Sequence, residues 1–172
     1  MNTTVLSDQE FQQFKSWIYQ TAGINFSAEK KALVTCRLAK RISHYNLSSY
    51  SQYFRLLVSG EHPEETQTAV DLLTTNETYF FREPKHFQFL EQVLASHPRG
   101  RPFRVWSAAS SYGQEAYSIA MTLADKLGSQ PWDILATDIS RRVVEQAKAG
   151  HYPIGQTQHI PKEYLSRYCL KG

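Results

Sequence analysis

Two stretches of the chain hold residue types that could bind or orient a ligand. The first is the apolar run Phe103-Arg104-Val105-Trp106-Ser107-Ala108-Ala109, followed by Ser110-Ser111-Tyr112-Gly113 and a helical pattern. In open α/β sheets, ligands sit outside the carboxyl ends of the strands, near the first turn, and Gly113 would let a ligand approach the backbone closely. A second apolar run, 132–138, ends in Asp138, 25 residues after Gly113. An acid there is placed to hydrogen-bond ribose hydroxyls. The competing reading is turn chemistry, because a lone glycine is not a three-glycine fingerprint and an Asp often precedes a Ser-capped helix. The second stretch is Asn76-Glu77-Thr78-Tyr79-Phe80-Phe81-Arg82-Glu83. Its Arg82 either faces a carboxylate, which a guanidinium recognises bidentately, or pairs with Glu77 or Glu83. In the latter case the stretch is a linker whose Phe80 and Phe81 anchor the preceding helices.

A third group is basic. Residues 30–60 hold six Lys and Arg (Lys30, Lys31, Arg37, Lys40, Arg41 and Arg55) and no Asp or Glu, whereas 61–71 hold four acids and no Lys or Arg. On one helix, Lys30, Arg37 and Arg41 would fall within about 40° of one another. Most such faces are merely solvated. The missing acids favour docking on an acidic partner, with gains in encounter rate and orientation.

The elements that must position these groups follow from start and stop signals. Ser7-Asp8-Gln9-Glu10 is a capping box, followed by Phe11, Phe14 and Ile18 at helical spacing and stopped by Gly23. Ser27 is expected to cap a second helix running to about Ser43, with Val34, Leu38 and Ile42 on one stripe. Ser48 or Ser49 opens a third, Pro63 starts a fourth, and Pro84 starts a fifth carrying Phe87, Leu90 and Leu94. Beyond the loop at 97–102, the order is strand 103–109, helix near 115–127, strand 132–138, then a Ser140-capped helix ending at Gly150. That alternation predicts an α/β domain with a parallel sheet.

Composition sets the bounds. The chain has 172 residues, 41% hydrophobic and 20% charged, with a net charge of +3. A core is affordable, and +3 argues against a dedicated nucleic-acid binder. No run approaches the ~18 apolar residues of a membrane span. Residues 1–8 have no basic head or apolar run, so no secretory signal is expected. Cys36 and Cys169 lie far apart without metal-type spacing, so a reduced cytoplasmic protein without a metal is expected.

Taken together, Leu72-Leu73-Thr74-Thr75 running into 76–83, Arg104-Val105-Trp106-Ser107-Ala108-Ala109, Tyr117-Ser118-Ile119-Ala120-Met121 and Ala136-Thr137-Asp138-Ile139-Ser140 closely resemble the chemotaxis receptor methyltransferases, the CheR family. The helical start, with Lys31, Arg37 and Arg41, also resembles that family's N-terminal domain. The resemblance implies an α-helical N-terminal domain (1–75), a linker with a site segment and a helix (76–102), and the first part of a Rossmann-like class I methyltransferase domain (103–172). It implies methyl transfer from S-adenosylmethionine to glutamate side chains on the cytoplasmic signalling helices of chemoreceptors, leaving S-adenosylhomocysteine. Asn76, Thr78, Arg82, Glu115 and Asp138 then match cofactor-site residues, joined by Gly113 from the turn. Arg82 is the expected catalytic residue, orienting a carboxylate. Lys30, Lys31, Arg37, Lys40 and Arg41 match the receptor-docking face. Neither nucleic acid nor membrane insertion is implied.

The chain departs from the pattern at three points. The family's Gly-Glu-Glu-Pro-Tyr is here Gly113-Gln114-Glu115-Ala116-Tyr117, keeping Glu115. Tyr112 replaces a small residue and is expected to narrow the cofactor pocket or alter its lid. The family's domain also continues past the point where this sequence stops. The expectation is therefore a shortened methyltransferase half, with open sheet edges that a second copy could satisfy in a swapped homodimer. The alternative function is a non-catalytic receptor-docking fragment.

Overall fold

The computed structural model describes residues 5–172. Half of the stretch read above for a secretory head, residues 1–4, lies outside the described residues. The chain divides into two compact units, Met1–Thr75 and Asn76–Gly172, so the segment 76–102 belongs with the second.

Among the described residues, the first unit holds four α-helices: α1 (Asp8–Ala22), α2 (Lys31–His44), α3 (Tyr50–Val58) and α4 (Pro63–Leu73). The Ser7 box closes as expected: Glu10 N–H donates to Ser7 Oγ at 3.2 Å and Ser7 N–H donates to the Glu10 carboxylate at 2.9 Å. The other Glu10 oxygen accepts from Ser51 N–H at 2.8 Å, tying α1 to α3. Ser27 does not cap α2 directly. A 3₁₀ turn, Ala28–Lys30, intervenes, and Ser27 makes no side-chain cap bond. Phe14, Ile18, Val34, Leu38, Tyr53 and Leu73 fill the core. The Phe14 ring lies 5.4 Å from Phe54 edge-on and 6.4 Å from Tyr53 stacked.

The second unit begins with α5 (Pro84–Ala95). Then come β1 (Phe103–Ala108), α6 (Gln114–Leu127), β2 (Trp132–Thr137), α7 (Arg141–Ala149), a 3₁₀ turn (Ile154–Gln156) and α8 (Lys162–Tyr168). The last two elements lie beyond the stretches read from the sequence, each directly after a proline, Pro153 and Pro161. β1 pairs with β2 in parallel, Val105 opposite Ile134 and Trp106 opposite Leu135. Period-2 alternation sends Phe103, Val105, Trp132 and Ile134 to one face, packed on Leu94 of α5 and Ile119, Leu123 and Leu127 of α6. The opposite face lacks such a cover: Trp106 is 67% and Leu135 59% exposed.

Candidate functional site

The site is built on the loop between β1 and α6. β1 ends one residue early because Ala109 turns left-handed (φ 60°), as do Ser111 (φ 52°) and Gly113 (φ 92°). A non-glycine residue pays for that conformation, and such strain persists only where surroundings over-determine it. Here the surroundings are specific. Ser110 N–H donates to the Thr137 carbonyl at 2.9 Å. Ser111 N–H donates to Asp138 Oδ2 at 2.8 Å, and Ser111 Oγ donates to the Asn76 carbonyl at 3.2 Å. Asp138 Oδ1 accepts from Ser140 N–H at 2.9 Å. One carboxylate thus holds both the turn after β1 and the start of α7, at the carboxyl end of the sheet. Each carboxylate oxygen keeps lone-pair capacity for a further donor. Glu115, in the first turn of α6, accepts from Ser107 Oγ at 2.7 Å, and Ser107 is buried beneath it.

Gly113 has close neighbours within the chain itself. A Cβ there would lie 2.8 Å from Ala147 Cβ and 3.0 Å from the Tyr152 hydroxyl. The close approach in this structure is by Ala147 of α7 and by Tyr152. Ser140 likewise precedes α7 without a side-chain cap bond, since Asp138 takes over that end of the helix.

The stretch 76–83 is anchored within its own unit. Phe80 is buried with Met121, Ile160 and Tyr164, and Phe81 N–H donates to Ser118 Oγ at 2.9 Å. Phe81 and Glu83 are both left-handed, each at φ 55°. Arg82 pairs with neither Glu77 nor Glu83 through a carboxylate. Its Nη1 donates to the Glu77 carbonyl and its guanidinium lies 5.9 Å from the Tyr79 ring centroid, leaving the side chain exposed.

Asn76 and Thr78 line a cleft of about 690 Å³ together with Tyr112, Gln114, Arg142 and Tyr152. Arg82, Glu115 and Asp138 do not line it, although the Asn76–Ser111–Asp138 hydrogen bonds join it to the strand ends. Tyr112 forms part of the wall. Its carbonyl accepts from Tyr152 O–H at 2.6 Å and Arg142 lies 5.7 Å over its ring. Gln114 and Arg142 were not anticipated as site residues. One signal was present for Gln114: it heads a stripe of polar residues, Gln114, Ser118 and Thr122, at four-residue spacing along α6. All three are buried. Gln114 is 4% exposed, and its Oε1 has no hydrogen-bond partner among the described residues.

The basic group is divided by the fold. Arg41 is bidentate on Glu65, with Nε to Oε1 at 2.8 Å and Nη2 to Oε2. Tyr53 and Tyr45 also donate to that carboxylate, which is 4% exposed. Burial pushes the Glu65 carboxyl up, and the bonds from Arg41 and Tyr53 outweigh it, so the group sits below its usual range. Arg37 donates to the carbonyls of Leu72, Leu73 and Thr74 at 2.9–3.2 Å, closing the end of α4. Lys31 pairs with Asp8 at 2.7 Å. For Lys31 and Arg41, the acid missing from 30–60 is supplied by another helix, α1 or α4. Lys30, in the 3₁₀ turn rather than on α2, and Lys40 are exposed.

Comparison with known proteins follows this division. Residues 9–74 match the family described as CheR methyltransferase, all-alpha domain, and residues 76–172 match CheR methyltransferase, SAM binding domain. The chain is 43% identical over 171 residues to the chemotaxis protein methyltransferase of Escherichia coli strain K12, covering 97% of this chain and 58% of that protein. It is 40% identical over 167 residues to chemotaxis protein methyltransferase 2 of Pseudomonas aeruginosa, covering 95% and 59%. The chain thus spans about three fifths of the length of the curated relatives it matches.

Proposed function

The chain belongs to the CheR methyltransferase family, its second unit being the S-adenosylmethionine-binding domain, and from that premise we propose that it methylates glutamate side chains of chemoreceptors. The observation that supports this most directly is the match of both domains in order along one chain. The chemistry asks little of the protein in proton transfer, because a glutamate carboxylate with a reference pKa near ~4.3 is ionised at neutral pH. S-adenosylmethionine, when bound, supplies a methyl group on a sulfonium sulfur, whose C–S bond breaks as the carboxylate oxygen forms the ester. This chain's residues then have to hold the reacting groups in line.

The residues present fit such a cofactor. Asp138 at the end of β2 has acceptor capacity for ribose hydroxyls. Asn76, Thr78 and Gln114 line the neighbouring cleft. Glu115 stands in the first turn of α6. Gly113 shapes the loop. Arg82 is exposed and orients a carboxylate, from the substrate or from the methionine portion. Replacing it by Ala should abolish methyl transfer while leaving the melting temperature unchanged, since it makes one backbone hydrogen bond; unchanged transfer would remove this role.

On this reading the partner is the cytoplasmic signalling helices of a receptor, and the protein works in the cytoplasm. No described helix is long and apolar enough to cross a membrane. Lys30, Lys31, Arg37, Lys40 and Arg41 form the docking side of the first unit. Arg37 and Arg41 hold the helices in place, and Lys30 and Lys40 meet the acidic partner. Converting a carboxylate to an ester removes a charge, a local switch that biases a helical bundle between two states.

A second reading is a docking fragment that binds no cofactor. The open sheet face at Trp106 and Leu135 favours it. Calorimetric titration with S-adenosylhomocysteine separates the two. Saturable binding supports the enzyme and calls for an assay on a receptor signalling fragment; a folded chain that binds none is the fragment.

A further inference from the structure

Arg82 is exposed, yet three contacts fix it. Its Nη1 donates to the Glu77 carbonyl at 2.5 Å, and its backbone N–H donates to the Tyr79 carbonyl at 3.3 Å. Its guanidinium lies 5.9 Å from the centre of the Tyr79 ring, within reach of a cation–π attraction. The backbone on either side, at Phe81 and Glu83, is left-handed, a conformation that such residues keep only where their surroundings impose it. Those surroundings are present for Phe81: its ring lies 5.0 Å from Phe87 and 5.8 Å from Tyr164, and its N–H donates to Ser118 Oγ. Tyr79 has no such enclosure and is 39% exposed. Its ring is met instead by that of His159, 4.8 Å away and tilted by 41°, from the segment just before α8. One exposed ring thus touches both a histidine and the arginine expected to handle a carboxylate.

We propose that Tyr79, steadied by His159, is a positioning residue whose ring fixes the guanidinium of Arg82 for the carboxylate that Arg82 orients. The assignment rests on the role given to Arg82 above and names the residues through which that role is exercised. An unrestrained arginine on a surface samples many rotamers, and ordering it when a ligand arrives costs affinity or rate. Here the ordering precedes the ligand. With Nη1 bonded to Glu77, the edge formed by Nε and Nη2 has no partner among the described residues. Those two N–H groups form the fork that takes a carboxylate in two hydrogen bonds. Fixing the plane of that fork in advance favours methyl transfer, which depends on alignment and not on proton transfer. The face of the ring performs this task, so the Tyr79 hydroxyl is dispensable.

The test measures methyl transfer to a receptor signalling fragment and, on the same whole chain, the Arg82 Nε–H signal by isotope-edited NMR, assigned by its loss in Arg82→Ala. Tyr79→Leu should keep the melting temperature and lower kcat/KM about fivefold, the size of an exposed cation–π contact. It should also move and sharpen the Nε–H signal as the side chain gains freedom. Tyr79→Phe, which keeps the ring face, should match the parent in both readouts. His159→Ala should shift both readouts in the same direction as Tyr79→Leu but by less, and it decides the matter if the Leu variant does not fold. Parental rates in Tyr79→Leu and His159→Ala, beside an inactive Arg82→Ala, would overturn the positioning role alone. Tyr79→Phe as slow as Tyr79→Leu would assign the effect to the hydroxyl and overturn the role as well. Full transfer by Arg82→Ala would remove the role of Arg82 and that of Tyr79 with it, whereas a parent chain that transfers no methyl group overturns the proposed function too.

Discussion

Asp138 and Gly113 sit in the same small region and fail in different ways when replaced. Asp138→Ala leaves the N–H groups of Ser111 and Ser140 without their acceptor, and both residues are buried. The expected loss is about 2 kcal/mol of stability, read by denaturant unfolding, together with loss of S-adenosylhomocysteine binding. Asp138→Asn keeps one acceptor oxygen and should recover part of the stability. Gly113→Ala drives a Cβ against Ala147 at 2.8 Å from a backbone at φ 92°. It should cost about 2 kcal/mol through that clash and the disfavoured φ. If Gly113 were instead a ligand-approach position, the Ala variant would keep its stability and lose only binding.

Within the helices of the first unit, the decisive feature is a basic helix turned partly inward. Seven residues from Val34, Arg41 returns to within about 20° of the buried stripe of α2, where Glu65 of α4 meets it. Arg41→Ala strands a carboxylate that is 4% exposed and should cost about 3 kcal/mol. Lys40→Glu, on an exposed side chain, should leave the melting temperature unchanged and slow association with a receptor fragment, most clearly at low salt. The same pair sets a pH dependence. The folded-state pKa of Glu65 is lowered from 4.5, so its stabilising contribution is present above that value and is lost as pH falls through the folded pKa. Acid titration of the melting temperature should show this loss in the parent protein. In the Arg41→Ala variant, with the main lowering partner gone, the loss should begin at higher pH.

The whole molecule combines a closed helical core with a two-stranded sheet covered on one face. Trp106 and Leu135 stand side by side on the other face, and the strands have no further neighbours among the described residues. Open edges beside exposed apolar side chains invite pairing with another chain. The purified 172-residue chain should therefore self-associate as its concentration rises, by exchange of elements between two copies or by apposition of these faces. Light scattering across a concentration series checks this, and Leu135→Lys should shift the series toward monomer. A strictly monomeric parent chain would remove the dimer from the proposal.

What was legible from residue order is what local chemistry decides. Ser7, Gly23, Pro63, Gly128 and Gly150 mark helix ends because a cap needs only the few residues around it. The strand–helix–strand order and the cofactor segment at Asn76 and Thr78 were readable in the same way, as short runs of characteristic type. The pairings that give those elements their roles were not readable. Arg41 meets Glu65 across 24 residues, Ser111 meets Asp138 across 27, and the Gln114 side chain reaches Gln156 across 42. No periodicity encodes such distances. The partners of Lys31 and Arg41, Asp8 and Glu65, lie on other helices, and the neighbours that crowd Gly113 come from α7 and Tyr152, more than 30 residues on. Sequence alone determined most of the elements and the family, because caps and short runs are local; tertiary packing decided which charged and polar groups found partners, because those partners lie tens of residues away.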